Sequence, residues 1–283
     1  MSKEIKEIAA GLKAFLQNAQ EEDLILKAAL AQDKAAFTSD VKNSGITENH
    51  SPLKMQNRDI HPLPKENSPL DGKTSDAKTK EIAYIAQMIN GCQKCELGKT
   101  RIKAVPGEGN VNAKIMFVGE GPGYEEDRQG RPFVGRAGQL LDKIIAAMGF
   151  TREEVFIANI VKCHPMVDPS NPDKRSNDRA PYPDEIAVCR RYLEQQIKTI
   201  SPDYVVALGG VAAKTLISQN QTFGAVRGKI FDLNLTCVEL DKPVKILATF
   251  HPAALLRNPS WKKEAWENLK VLLADMGKIP QAK

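Results

Sequence analysis

Four short apolar runs punctuate the second part of the chain: Ala113-Lys-Ile-Met-Phe-Val-Gly119, Glu154-Val-Phe-Ile-Ala-Asn-Ile-Val161, Asp203-Tyr-Val-Val-Ala-Leu-Gly-Gly210 and Val244-Lys-Ile-Leu-Ala-Thr-Phe250. Runs this short and this continuously apolar predict strands buried on both faces. Between them, residues 135–148, 182–200 and 211–218 place apolar side chains at spacings of three and four, and 261–276 does so after the fourth run, which predicts helices. Strand and helix alternate, so the expected sheet is four-stranded and mainly parallel, with right-handed crossovers and helices on both faces. Residues 229–240 predict an irregular strand or hairpin before the fourth run. No internal repeat is visible.

The first eighty residues have another texture. Ile5, Ile8, Leu12, Phe15 and Leu16, then Leu24, Leu26 and Leu30, predict one or two amphipathic helices over 1–32, a helical appendage or a docking element for a protein partner. From 33 to 79 the only aromatic is Phe37, prolines stand at 52, 62, 64 and 69, and small polar residues dominate, which predicts a flexible linker. At roughly 5–6 Å × √n it reaches about 35–42 Å, enough to tether a partner without orienting it. The folded domain is expected over 80–283.

Composition narrows the class. The 283 residues are 42% hydrophobic and 27% charged, with no apolar stretch long enough to span a membrane and no apolar core behind Met1-Ser-Lys-Glu-Ile-Lys-Glu7. A soluble, monomeric, cytoplasmic protein is the expectation. Residues 1–80 hold 12 basic and 12 acidic side chains, so the net +5 falls on 81–283, which allows an anionic partner.

Open parallel sheets bind ligands beyond the carboxyl ends of their strands. There the chain has Gly119-Glu-Gly-Pro-Gly123, Asn159, Gly209-Gly210 and His251-Pro252, which would bring an acid, an amide, bare backbone and an imidazole to one cleft. The glycine turn is not a dinucleotide fingerprint, because Glu125, Glu126 and Asp127 follow it and would repel a pyrophosphate, and no P-loop pattern occurs. An amide such as Asn159 can read a pyrimidine edge, offering a donor and an acceptor side by side. Four of the five cysteines, Cys92, Cys95, Cys163 and Cys189, form a ligand-like set for either an iron-sulfur cluster or structural zinc. Spacing does not choose between the metals, and Cys237 reads as an ordinary thiol.

Several motifs taken together resemble the iron-sulfur, type-4 uracil-DNA glycosylases: Cys92-x-x-Cys95-x-Leu97, Val105-Pro-Gly-Glu-Gly-Asn110, Gly119-Glu-Gly-Pro-Gly123 with Glu126-Asp127, Gly130-Arg-Pro-Phe-Val-Gly135, Asn159-Ile-Val-Lys-Cys163 and His251-Pro-Ala-Ala-Leu-Leu-Arg-Asn-Pro259. The resemblance runs from about residue 80 to 276. It implies a three-layer α/β/α sandwich, a [4Fe-4S] cluster on the four cysteines, and hydrolysis of the N-glycosidic bond of deoxyuridine in single- and double-stranded DNA. Catalysis would rest on Glu120, Asn159 and His251. The base would meet Glu120 and Gly121 through backbone N–H groups, stack on Phe133, be read by Asn159 and be bonded at O2 by His251. Leu255, Leu256 and Arg257 would enter the duplex gap.

The chain also departs from that pattern. Cys163 and Cys189 are separated by 25 residues, longer than the family's usual gap, with the extra material expected within 166–178. In a related branch an insertion here carries a histidine that traps DNA covalently; residues 168–179 contain none, so trapping is not expected, and His164, where the family commonly has arginine, is the one residue that could supply it. The alternatives are a uracil-DNA binding or damage-sensing protein of the same fold with little turnover, and a zinc-stabilised nucleotide-binding protein.

Overall fold

The computed structural model describes residues 74–279 and the isolated residue Ala10. The expected N-terminal helices and almost all of the expected linker therefore lie outside the described residues. The linker's last residues do not: helix α1, Ser75–Asn90, begins inside the stretch read as linker, with the Thr74 hydroxyl accepting from the Ala77 N–H at 3.4 Å. The folded domain thus starts at about 75, five residues earlier than its sequence texture indicated.

After α1 come α2 (Glu96–Thr100), β1 (Glu108–Gly109), β2 (Ile115–Gly119), α3 (Tyr124–Gln129), α4 (Arg136–Ala147), β3 (Phe156–Asn159), α5 (Pro183–Ile200) and β4 (Tyr204–Leu208). Then follow α6 (Gly210–Leu216), α7 (Phe223–Val226), β5 (Ile230–Asp232), β6 (Lys245–Thr249), α8 (Pro252–Arg257) and α9 (Trp261–Asp275). The four apolar runs form the parallel centre of the sheet, in spatial order β3-β2-β4-β6. The sheet has six strands rather than the expected four, because β1 and β5 add short antiparallel edges at opposite ends.

Alternation along each strand splits the core in two. Met116 and Val118 of β2 face α1, α5 and α6, meeting Ile85, Ile89, Leu193 and Ala212, whereas Ile115 and Phe117 face α4 and α9, meeting Leu141, Ile145, Leu269 and Leu273. Each such fully buried side chain contributes about 1.5–3 kcal/mol, so both helical layers are held by burial on the same five-residue strand. This is the three-layer α/β/α arrangement. The chain leaves β2 to one side for β3 and returns to the other for β4, which makes the carboxyl ends of β2 and β4 the switch point where a crevice opens. No described helix is long and apolar enough to cross a membrane.

Candidate active site

A cleft of about 840 Å³ lies at that switch point, lined among others by Glu120, Gly121, Phe133, Asn159 and His251. All five residues expected to handle the base are brought together there. Asn159 ends β3 in register with Gly119 of β2 and is 1% exposed, yet among the described residues its Oδ1 has no hydrogen-bond partner. A buried acceptor left unpaired costs about 1–3 kcal/mol, so the amide awaits a donor. The position of Gly119 has a steric reason: a Cβ there would stand 2.4 Å from Asn159 Oδ1 and 2.5 Å from Phe133 Cζ. Gly121 is equally constrained, with Val161 Cγ2 2.8 Å from a notional Cβ.

Phe133 occupies the left-handed region at φ +52°, a conformation that costs a bulky residue of the order of 1–3 kcal/mol and persists where the surroundings enforce it. The enforcing group is Arg152, whose guanidinium donates to the carbonyls of Pro132 (2.5 Å) and Phe133 (3.3 Å) while pairing with Asp142 (2.6 Å) and Glu108 (3.0 Å). Gly138 completes the fit, since a Cβ there would meet the Phe133 carbonyl oxygen at 1.9 Å. The Phe133 ring lies 5.5 Å from that of His251.

His251 caps α8: its Nδ1 accepts from the Ala253 N–H at 3.2 Å. Burial first, and Arg257 second, lower its pKa to about 4, so the ring is neutral near pH 7. With Nδ1 accepting, the single proton sits on Nε2. The imidazole is therefore a neutral donor of fixed tautomer. Glu120 lines the same cleft, and burial holds its carboxyl above the ordinary range.

Two carboxylates of the motif, Glu126 and Asp127, hold backbone groups, a role that sequence reasoning did not assign. The Glu126 carboxylate accepts from the N–H groups of Gly123 (3.2 Å), Val134 (2.9 Å) and Gly135 (3.0 Å), tying the glycine turn to the Phe133 turn. Asp127, fully buried, accepts from the N–H groups of Ile102 and Lys103. Two of the three carboxylates read as phosphate-repelling are thus occupied by backbone. Arg152 and the Glu126 bonds to Val134 and Gly135 act across gaps that local pattern cannot register, whereas the Glu126 bond to Gly123 is a local capping contact.

The inserted stretch is closed at its neck. Met166 and Asp178 bridge, and the Val167 N–H donates to the Asn177 carbonyl at 2.8 Å. His164 lies beneath this neck, fully buried, with Nε2 2.6 Å from Asp178 Oδ1 and Nδ1 3.8 Å from Asp127 Oδ2. Burial opposes its charge, but the two carboxylates win and raise its pKa to about 9. It does not line the cleft.

The expected intercalating residues need correction. They belong to helix α8, not to a loop, and Leu255 is fully buried in the core with Phe117 and Leu269, because helical spacing turns it away from the cleft. Leu256 is half-buried against the same cluster, while Ala253, Ala254 and Arg257 line the cleft.

On the α1 and α5 face, Cys92, Cys95, Cys163 and Cys189 line one small cavity with Lys162 and Tyr192. Among the described residues no three His, Cys, Asp or Glu side chains meet in a group suited to a metal ion, so the cysteines ring a space without converging on a point. Burial pushes the Cys163 thiol up to about 11 and Cys189 to about 12, and raises Cys95. Donors stand ready for thiolates: Arg101 Nη1 reaches Cys163 Sγ at 2.9 Å and the Lys162 N–H reaches Cys189 Sγ at 3.3 Å. Four soft ligands with cationic and N–H neighbours fit an anionic iron-sulfur centre. Cys237, exposed, stands apart.

Comparison with known proteins adds an independent line. Residues 106–270 match the Uracil DNA glycosylase superfamily. The chain is 39% identical over 190 residues to the type-4 uracil-DNA glycosylase of Archaeoglobus fulgidus, covering 66% of this chain and 88% of that protein. It is 41% identical over 206 residues to that of Saccharolobus solfataricus, covering 71% and 86% respectively. With the type-4 enzyme of Thermotoga maritima the identity is 41% over 180 residues, 63% of this chain and 85% of the relative.

Proposed function

The chain belongs to the uracil-DNA glycosylase superfamily, and from that premise we propose that it is a type-4 DNA repair glycosylase, hydrolysing the N-glycosidic bond of deoxyuridine and leaving an abasic site. The observation that carries the reading is the unpaired, buried Asn159 Oδ1 in the cleft that also holds the neutral His251. Uracil presents an N3–H donor beside an O4 acceptor, which is the complement of the Asn159 amide. Cytosine has neither an N3–H nor an acceptor at C4, so it mismatches this orientation at both atoms.

A base inside the duplex stack is out of reach, so the uracil is extruded into the cleft and stacks on Phe133. As the C1′–N1 bond breaks, its electron pair moves onto the uracil ring and builds negative charge at O2. His251 Nε2–H bonds that oxygen. Because the imidazole is already neutral, it stabilises the anion as a preorganised donor, an effect worth on the order of 10²–10³ in rate. Glu120 orients the water that adds at C1′. Its backbone N–H and that of Gly121 hold the base edge.

Cys92, Cys95, Cys163 and Cys189 would hold a [4Fe-4S] cluster, which when bound would cross-link the end of α1, the exit of β3 and α5. Arg101 and Lys162 balance its charge. The protein acts on DNA in the cytoplasm.

The test is timed uracil release from a single-uracil oligonucleotide with enzyme limiting, followed by alkali cleavage and a denaturing gel. Many turnovers without protein-linked DNA are expected. Retained binding with no released uracil would favour a damage-sensing protein instead. Iron analysis and visible absorbance separate a cluster from zinc.

A further inference from the structure

The cleft is larger than one base requires. Its volume of about 840 Å³ far exceeds the eight heavy atoms of a pyrimidine, and beyond His251 its wall continues through Phe223, Phe250 and Trp261. The rings form a connected series. Phe250, next in sequence to His251, stacks on Trp261 at 5.1 Å and 27° and meets Phe223 edge-on at 5.7 Å. Trp261 opens α9 and is 40% exposed, whereas the chain's second tryptophan, Trp266, is 4% exposed in the core. Exposed Arg257 lines the same cleft, whereas the Arg227 guanidinium, 4.7 Å from the Phe250 ring centroid, lies outside its lining and is paired with Glu264.

Aromatic faces with interleaved cations are what unpaired nucleic-acid strands bind, because every base has a π-face and every linkage a negative charge. The shelf is continuous with the pocket assigned to the uracil, and a strand that delivers its base there must carry its next nucleotide past the rim. We propose that exposed Trp261, backed by the buried ring of Phe250 and flanked by half-buried Phe223, forms a second base subsite, on which a nucleobase adjoining the extruded uracil stacks when the strand is single. This rests on the glycosylase reading and names a contact that reading does not need. A paired neighbour keeps its place in the duplex stack, so the subsite favours single-stranded substrate.

The experiment uses the full chain and three short single strands containing 2′-fluoro-deoxyuridine, a slow-cleaving analogue: one with normal flanks, one with an abasic 5′ neighbour and one with an abasic 3′ neighbour. Trp261 is the exposed indole, so its emission reports the contact directly. Quenching by the normal strand and its loss with one of the abasic strands is expected. Trp261→Ala should weaken binding of the normal strand about tenfold, the size of one base-aromatic stack. That loss and the loss from removing the neighbouring base should overlap rather than add, and Trp261→Phe should restore most of the binding. Equal binding of all three strands by the wild-type chain, or additive losses, overturns the subsite. Wild-type turnover of ordinary uracil strands alongside equal binding confines that failure to the shelf, whereas no uracil release from any strand overturns the glycosylase reading and the shelf with it.

Discussion

The two histidines of the folded domain, one lining the cleft and one outside its lining, are held in opposite charge states. For His251, burial first and nearby Arg257 second drop the pKa to about 4. His164 is at least as buried but lies between Asp127 and Asp178, and its pKa rises to about 9. Identical side chains become a neutral hydrogen-bond donor at the cleft and a cationic strut beneath it. The difference teaches that burial alone does not set protonation; the count of nearby carboxylates does.

The largest expected effect separates the roles. His251→Ala should lower single-turnover uracil release by about 10²–10³ while costing only about 1 kcal/mol of stability through the lost cap of α8. His164→Gln should do the reverse: stability falls by about 3 kcal/mol, because Asp127 is left buried without its counter-charge. Release per folded molecule should stay within about threefold, and no protein-DNA adduct should appear on a denaturing gel. An adduct, or His164→Gln failing in release at full stability, would break the comparison.

pH sharpens it further. A raised folded-state pKa adds stability that is complete below the unfolded value near 6.5 and is lost as pH rises through about 9, so His164 gives an alkaline limb in the urea midpoint. His251 has a lowered pKa, so the unfolded chain binds its proton first and stability declines as pH falls from about 6.5 towards 4. Release should fall over the acid end of that window, and His251→Gln should flatten the release limb. The smallest effect is expected at Arg152→Lys, which keeps the charge but loses the fork to Pro132 and Phe133. About 1 kcal/mol of base binding should be lost, read as a rise in KM with kcat nearly unchanged.

Much of this was legible because buried parallel strands write themselves as apolar runs and place their final residues at one edge. Gly119, Asn159 and His251 follow from that single fact. The edge strand β1 did not show, since two residues carry no pattern, whereas β5 falls inside the irregular strand or hairpin expected over 229–240. The start of α1 was hidden by Ser75-Asp-Ala-Lys-Thr-Lys80, which has a linker's composition but a capping threonine before it. Leu255 was misjudged because its motif was read as a loop; one turn of helix was enough to send it inward. Arg152 could not have been assigned, since it acts on backbone groups that only the fold brings near; the Glu126 bond to the Gly123 N–H is local, but its bonds to Val134 and Gly135 are not.

The closed neck beneath the inserted stretch has an engineering consequence. Besides the bridge of Met166 with Asp178, the Arg179 N–H donates to the Pro165 carbonyl at 3.1 Å and Asn177 Nδ2 to the Asp168 carbonyl at 2.8 Å, so both strands are stitched before the loop tip begins. Length added between 168 and 177 is spent outside the stitch, and closing a longer loop costs little extra entropy. The tip beyond the stitch is itself anchored to α3, through Arg128 to the Pro172 carbonyl and Asp173 and through Arg175 to Glu125, and Arg175 lines the cleft. A fluorophore tag or short recognition peptide spliced into it would therefore sit beside the cleft, and would leave it intact only where those contacts are kept.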